Sequence, residues 1–248
     1  MDVPAGGGRG FPATRHTMVA GLRSADPEVK RAGQDTLVSA YWKPVYKYLR
    51  MKWSATAVDA QDLTQEFFMR ALEKGFFESY EPAKGRFRTF LRTCLDGFMS
   101  NQRKGERRLK RGGGVLPVAL DFDDAERELD RHAVVDDTNA EAYFHREWIR
   151  SVLGQTVDSL REDYARQGKA LQFRIFERYD LKESEAGSAT TYAQVAGEFG
   201  VSASDVTNYL AAARRSFRRA LIERFRTVCE SEADVEREIR DLLLGDVR

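Results

Sequence analysis

Cysteine is scarce in this 248-residue chain, with only Cys94 and Cys229. Two are too few for a disulfide framework or a thiolate metal site, and Cys94 falls on the apolar stripe of a helix. Histidine is equally sparse. His16, His132 and His145 are scattered, and no two have the spacing that lets a pair of imidazoles reach one metal from one helix. No Ser/His/Asp or nucleophile-elbow pattern occurs. The triple glycines Gly6 to Gly8 and Gly112 to Gly114 lack the Lys-Ser/Thr that completes a phosphate loop, and both read as linker. Neither catalytic chemistry nor a cofactor is expected. No apolar run approaches the ~20 residues of a membrane-spanning helix, and the N-terminus has no apolar signal core, so no membrane insertion and a cytoplasmic location are expected. The six prolines and the glycines fall mostly between long segments of helical period, and nothing alternates with period two over strand length. The expected fold class is all-α.

Net charge is also nearly absent: 40 Lys+Arg stand against 39 Asp+Glu. The total hides an alternation. Residues 84–111 hold ten Lys/Arg and two acids, a net of +8, whereas 119–141 hold nine acids and two Arg, a net of −7. Residues 203–226 hold six Arg and two acids, a net of +4, and 230–248 hold seven acids and three Arg, a net of −4. Each basic block is followed by an acidic one. A helix dipole accounts for two or three cations at a helix C-terminus, not for ten. Phosphate neutralisation is the remaining explanation for the first basic block.

Periodicity divides the chain. Residues 1–13 are rich in Gly and Pro and are expected to be disordered. A first helical unit spans 14–111. Its first block runs from about Pro27 to Trp53, with a break or kink expected near Lys43 because Pro44 follows. A second block is expected to start on Asp59 as N-cap, with Ala60, Leu63, Phe67 and Ala71 inward and Asp62, Gln65, Glu66, Met69 and Arg70 outward. The third is the cleanest: Phe87, Phe90, Leu91, Cys94, Leu95 and Phe98 repeat at i, i+3, i+4, i+7, i+8 and i+11. Its other side presents Arg88, Arg92, Asp96, Ser100 and Arg103. Residues 112–140 show little periodicity and read as a flexible acidic linker. A second helical unit spans 141–228, with Ala142, Ile149, Val152, Leu153, Val157 and Leu160 on one face and Leu171, Phe173, Ile175, Phe176 and Tyr179 on another helix. Residues 229–248 form an acidic amphipathic tail, in which Ser231 opens a capping signal and Val235, Ile239, Leu242 and Leu243 form a stripe.

The most specific motif is TYAQVAGEFGVSASDVTNYLAAARRSFRRAL from Thr191. A helix-turn-helix needs a small residue where its helices cross, a glycine at the turn and apolar residues at fixed offsets. Ala196, Gly200 and the set Val195, Phe199, Val201, Val206 and Tyr209 fill those positions, with Ser202 as N-cap of the second helix. In that geometry Ser204, Asp205, Thr207, Asn208 and Ala211 face base edges, and Arg214, Arg215 and Arg218 reach phosphates.

Together DAQDLTQEFFMRAL (Asp59 to Leu72), GRFRTFLRTCLDGFMSNQRKGERRLKRGGG (Gly85 to Gly114) and the helix-turn-helix resemble an RNA polymerase sigma factor of the extracytoplasmic-function type, in the sigma-70 family. The similarity runs from about Thr14 to Leu244 and takes in the Tyr-Trp-x-Pro-x-Tyr stretch at Tyr41 to Tyr46. The resemblance implies two helical domains, region 2 (14–111) and region 4 (141–228). Asp62, Gln65, Glu66, Met69 and Arg70 then match the face that grips the β′ clamp helices of core RNA polymerase, with the β subunit a further contact. Arg88, Arg92, Asp96, Ser100, Asn101, Arg103, Lys104, Arg107 and Arg108 match the helix that meets the promoter −10 element. Phe76, Phe77 and Tyr80 match a loop where an unstacked base is captured, an interaction worth roughly 1 to 3 kcal/mol per base; plain core is the other reading of these aromatics. The helix-turn-helix residues match those that read the −35 element. An anti-sigma factor or other regulator is a further partner of such proteins. Asp96 and Ser100 stand where many relatives have Asn and Asp, and Ala212 where Arg is frequent, so the promoter sequence does not carry over. The acidic linker would thread toward the polymerase RNA channel as a charge mimic. An ordinary helix-turn-helix regulator is the alternative, and it leaves Asp59 to Leu72 without a role.

Overall fold

The computed structural model describes residues 17–103, 116, 118, 120–131, 139–181 and 190–244. Among these no strand occurs. The helices are α1 Met18–Leu22, α2 Pro27–Lys52, α3 Ala57–Glu73, α4 Phe87–Arg103, α5 Phe122–Arg131, α6 Ala140–Arg166, α7 Ala170–Phe176, α8 Tyr192–Phe199, α9 Ala203–Val228 and α10 Glu232–Leu244. Two short 3-10 turns, Phe76–Ser79 and Pro82–Lys84, link α3 to α4, and a π-type turn at Glu177–Leu181 prolongs α7. The all-α expectation holds. Residues 1–13 and Gly112 to Gly114 lie outside the described residues.

α2 starts on Asp26, whose carboxylate accepts the Glu28 N–H at 2.9 Å, with Pro27 in the first turn where its missing N–H is harmless. Of the break or kink expected near Lys43, the break does not occur. Pro44 lies inside one continuous helix, and Leu37, Val38, Tyr41, Val45, Tyr48 and Leu49 around it are fully buried. That burial outweighs the ~3 kcal/mol an interior proline removes from a helix. α3 starts earlier than expected. Thr56, not Asp59, is its N-cap, accepting the Asp59 N–H at 3.1 Å while its hydroxyl donates to the Asp59 carboxylate at 2.9 Å. Asp59 remains in the first turn, where the helix dipole favours it. α4 keeps the expected stripe: Phe87, Leu91, Leu95 and Phe98 are buried, with Phe90 and Cys94 packed beside them.

Two hydrophobic cores form, but two helices run through both. α6 gives Phe144, Trp148, Ile149 and Val152 to the first core and Leu160 and Tyr164 to the second. α9 gives Val206, Leu210 and Ala213 to the second and Leu221, Phe225 and Val228 to the first. The boundary expected at 141 is therefore not a gap between independent units.

The linker is also not a featureless tether. Phe122, Ala125 and Leu129 fall at i, i+3 and i+7, a short apolar stripe among the acids, and α5 lays it on α2. Ala125 is fully buried, and Phe122 packs edge-on against Trp42, with ring centres 5.4 Å apart. The acids pair with α2: Lys43 donates to Asp124 at 2.7 Å and to Glu128 at 2.8 Å, and Arg50 Nε donates to Glu126 at 2.6 Å.

Candidate nucleic-acid interface

On α3 the core takes Ala60, Thr64, Phe67, Phe68 and Ala71, which leaves Asp59, Asp62 and Gln65 exposed. Glu66, Met69 and Arg70 are half-buried. Glu66 is tied down from two sides, accepting from Gln102 Nε2 of α4 at 3.0 Å and pairing with Arg70 at 3.8 Å. Val58, 68% exposed at the start of the same helix, extends this surface with an apolar residue that periodicity alone leaves unassigned.

The aromatic loop divides. Phe77 is a core residue, edge-on to Phe67 at 6.1 Å and against Phe87 at 5.9 Å. Tyr80 is also buried, edge-on to Phe87 and tilted against Phe90, and its hydroxyl donates to the Gly85 carbonyl at 2.7 Å. Burial pushes its hydroxyl up to about 12. Phe76 is half-buried. Neither Phe77 nor Tyr80 thus offers a free ring face as the loop expectation required, because α4 needs both to close its N-terminal end. Beside them lies an open cleft of about 270 Å³, lined by Tyr80, Lys84, Arg86, Thr89 and Phe90.

The described arginines of the basic helix, Arg88 and Arg92, are paired within the chain. Arg88, expected on the outer face, is buried: it donates to Glu238 of α10, and its guanidinium lies 5.3 Å from the Trp148 ring centre. Arg92 donates to Asp96 at 3.0 Å and approaches Glu141 at 3.6 Å. Asp96 collects further donors, from Lys52 at 3.1 Å, Tyr48 at 3.1 Å and Trp53 Nε1 at 3.3 Å. Ser100 donates to the Asp96 carbonyl at 2.8 Å, and Asn101 is exposed. Lys104, Arg107, Arg108 and the side chain of Arg103 lie outside the described residues.

The helix-turn-helix forms as its spacing predicts. α8 carries a capping box between Thr191 and Gln194 and ends on Gly200 at φ 66°, a left-handed position that glycine takes without strain. Ser202 caps α9 with Asp205 completing a second capping box. The Asp205 carboxylate accepts from Ser202 Oγ at 2.6 Å and from its N–H at 3.2 Å, so it closes the helix end and does not project toward a groove. Thr207 donates back to the Ala203 carbonyl at 3.0 Å; Ser204 and Asn208 are exposed, and Ala211 is half-buried. Arg215 and Arg218 are exposed. Arg214, exposed as well, forks onto Asp180, through Nε at 2.9 Å and a terminal nitrogen at 2.7 Å, above the Tyr179 ring.

Residues 37–109 match the family model for sigma-70 region 2. That segment is a sigma-70 region 2. The match runs from Leu37 in α2 through α4 and so contains the outer face of α3, the aromatic loop and the basic helix. Region 2 supports a sigma-factor role in RNA polymerase binding and promoter melting, with core polymerase and promoter DNA as the partners the family implies. Sigma factors are non-enzymatic initiation factors. Comparison with curated proteins and with solved structures finds no match. Among the described residues no helix is long and apolar enough to cross a membrane, and no group of His, Cys, Asp and Glu is arranged to hold a metal.

Proposed function

We propose that the chain is a sigma factor of the extracytoplasmic-function type: region 2 engages core polymerase and the −10 element, and a region 4 built on α8 and α9 reads the −35 element. The observation that carries this reading is the presence, in one chain, of a region 2 match and a helix-turn-helix with both capping boxes and a left-handed glycine turn. A stand-alone regulator needs only the second. The polymerase-facing surface is Asp62 and Gln65 with the half-buried Glu66, Met69 and Arg70, extended by Asp59 and by Val58 at its edge. Base-edge readers reduce to Ser204, Asn208 and Ala211, and phosphate contacts to Arg215 and Arg218, since Asp205 and Arg214 are held within the fold. The open cleft beside Tyr80 and Phe90 is the place on region 2 that fits a single unstacked base, with Lys84 and Arg86 near its phosphate.

The test is reconstitution. Purified protein is mixed with core polymerase and a promoter library, and specific run-off transcripts are expected. Failure to form a holoenzyme, while the protein alone protects a palindromic operator, would establish the regulator instead.

A further inference from the structure

Glu238 is an acid in the wrong place for a solvated tail. It sits on the inward face of α10 with a side chain only 3% exposed. A buried carboxylate persists only when its charge is met, and here it is met by cations of the promoter-facing segment. One oxygen accepts from Arg86 at 3.1 Å and from Arg88; the other lies 3.3 Å from His145 Nε2. One turn on, Asp241 takes the second terminal nitrogen of Arg86 at 3.2 Å. Val235, Ile239 and Leu242 anchor the same helix in the first core.

We propose that α10 is an intramolecular latch, in which Glu238 and Asp241 occupy Arg86 and Arg88 in the free protein and DNA phosphate replaces them when α10 leaves. The proposal rests on the reading of α4 as the −10 helix. Its chemistry is conservative, because a guanidinium fork binds carboxylate and phosphate in the same geometry. The same face of α4 carries a second acid from outside the helix: Glu141 at the start of α6 accepts from Thr89 Oγ1 at 3.0 Å and faces Arg92. While α10 and the start of α6 are in place, these arginines are unavailable to a duplex.

The test uses the full chain carrying Glu238→Gln and Asp241→Asn, which remove both charges and keep the shapes. Binding to a short fluorescent duplex is titrated by anisotropy across a salt series, with circular dichroism as a check on folding. The doubly neutral variant is expected to bind on the order of tenfold tighter at low salt, with a salt slope steeper by roughly 2, the effect of about two regained phosphate contacts. A folded variant whose affinity and slope match the wild type overturns the latch. Should the variant not fold, hydrogen exchange on the wild-type chain decides: saturating duplex is expected to strip protection from amides of 235–244, and retained protection overturns the proposal. Core-polymerase affinity, measured in parallel, separates the two readings. A variant that gains duplex affinity in a protein that never binds polymerase leaves the latch standing and removes the sigma reading. Polymerase binding without a gain in duplex affinity removes the latch alone.

Discussion

Lys47 Nζ lies 2.7 Å from a carboxylate oxygen of Glu147, and both side chains are only 3% exposed. Glu128 of α5 adds a second carboxylate to Lys47 at 2.5 Å, and Arg150 pairs with Glu147, so α2, α5 and α6 meet at one charged knot. This knot ties region 2 to the long helix that enters the second core.

Removing one member of that knot leaves an uncompensated buried charge. Lys47→Met is expected to lower the free energy of unfolding by about 3 kcal/mol, whereas Lys47→Met with Glu147→Leu recovers part of the loss, because the pair's own attraction barely exceeds its desolvation cost. Urea denaturation of the three proteins measures both. A single variant within about 0.5 kcal/mol of wild type would mean that water reaches the site.

A second prediction concerns the crossing of α1 on α2. A Cβ at Gly33 would lie 2.8 Å from the backbone carbon of Gly21 and from the Leu22 nitrogen, and backbone cannot step aside as a flexible side chain can. Gly33→Ala is expected to cost ~1–3 kcal/mol through overpacking, despite alanine's better helix propensity. Gly97, also within a helix, has nothing within 4 Å of its added Cβ and serves as the control, where alanine is expected to be neutral or stabilising. Thermal melting of the two variants checks the contrast.

The sequence makes some of this legible and hides the rest for a physical reason. The α4 stripe and the helix-turn-helix could be read because their information is local, with apolar residues at helical intervals and a glycine where the turn needs a positive φ. The pairings of Arg88, Lys47 and Asp96 could not, since a charge on a helix reads as solvated until a partner from a distant segment is placed against it. The tail shows where a signal did exist. Val235, Glu238, Ile239 and Leu242 are the i, i+3, i+4, i+7 set, so an acid sits on the apolar stripe, while Leu243 falls off it and is 72% exposed. The tail packs on α9, but its buried carboxylate faces Arg88 of α4 and His145 of α6.

Docking of α5 should depend on pH. Arg50 donates to Glu126 at 2.6 and 3.0 Å and holds its carboxyl below the usual carboxylate range, with the Tyr46 hydroxyl helping at 2.6 Å. A hydrogen bond from Lys43 does the same for Asp124. A pKa lowered in the docked state means that the undocked segment takes up protons first. The stabilisation is therefore complete above the free carboxyl values near ~4 and disappears as pH falls through the docked ones. Amide protection factors at 122–131, with the intrinsic pH dependence of exchange divided out, are expected to fall below about pH 4 and to be flat from there to neutrality. Trp42, in contact with Phe122, gives a fluorescence readout of the same event.

Arginines on α9 are expected to separate by role. Arg215 and Arg218 are exposed, and replacing either with Ala should weaken duplex binding and flatten the salt slope by about 0.9, one phosphate contact each. Arg214 is committed to Asp180, and its hydrogen bond to that carboxylate raises the guanidinium's pKa. Arg214→Ala should leave the slope unchanged and loosen the turn that carries Asp180. Anisotropy titrations at several salt concentrations distinguish the two classes, and equal slopes for all three variants would remove the distinction.

The final prediction separates polymerase binding from folding on a single helix. Asp62 is exposed, one turn before the half-buried Glu66 that accepts from Gln102 of α4. Asp62→Lys reverses a charge that the fold does not use. It is expected to lower affinity for core polymerase by at least about tenfold, a modest share of the several kcal/mol that like-charge juxtaposition costs at an interface, with no change in melting. Glu66→Lys should lower both affinity and stability, because it places a cation beside Arg70 and discards the bond to α4. Glu66→Gln keeps an acceptor for Gln102, so its melting should return toward wild type while its polymerase affinity stays reduced. Competition binding with labelled core polymerase, run beside thermal melts, reads both quantities. If Asp62→Lys binds as the wild type does, the outer face of α3 is a solvated surface and the grip on polymerase must lie elsewhere in region 2.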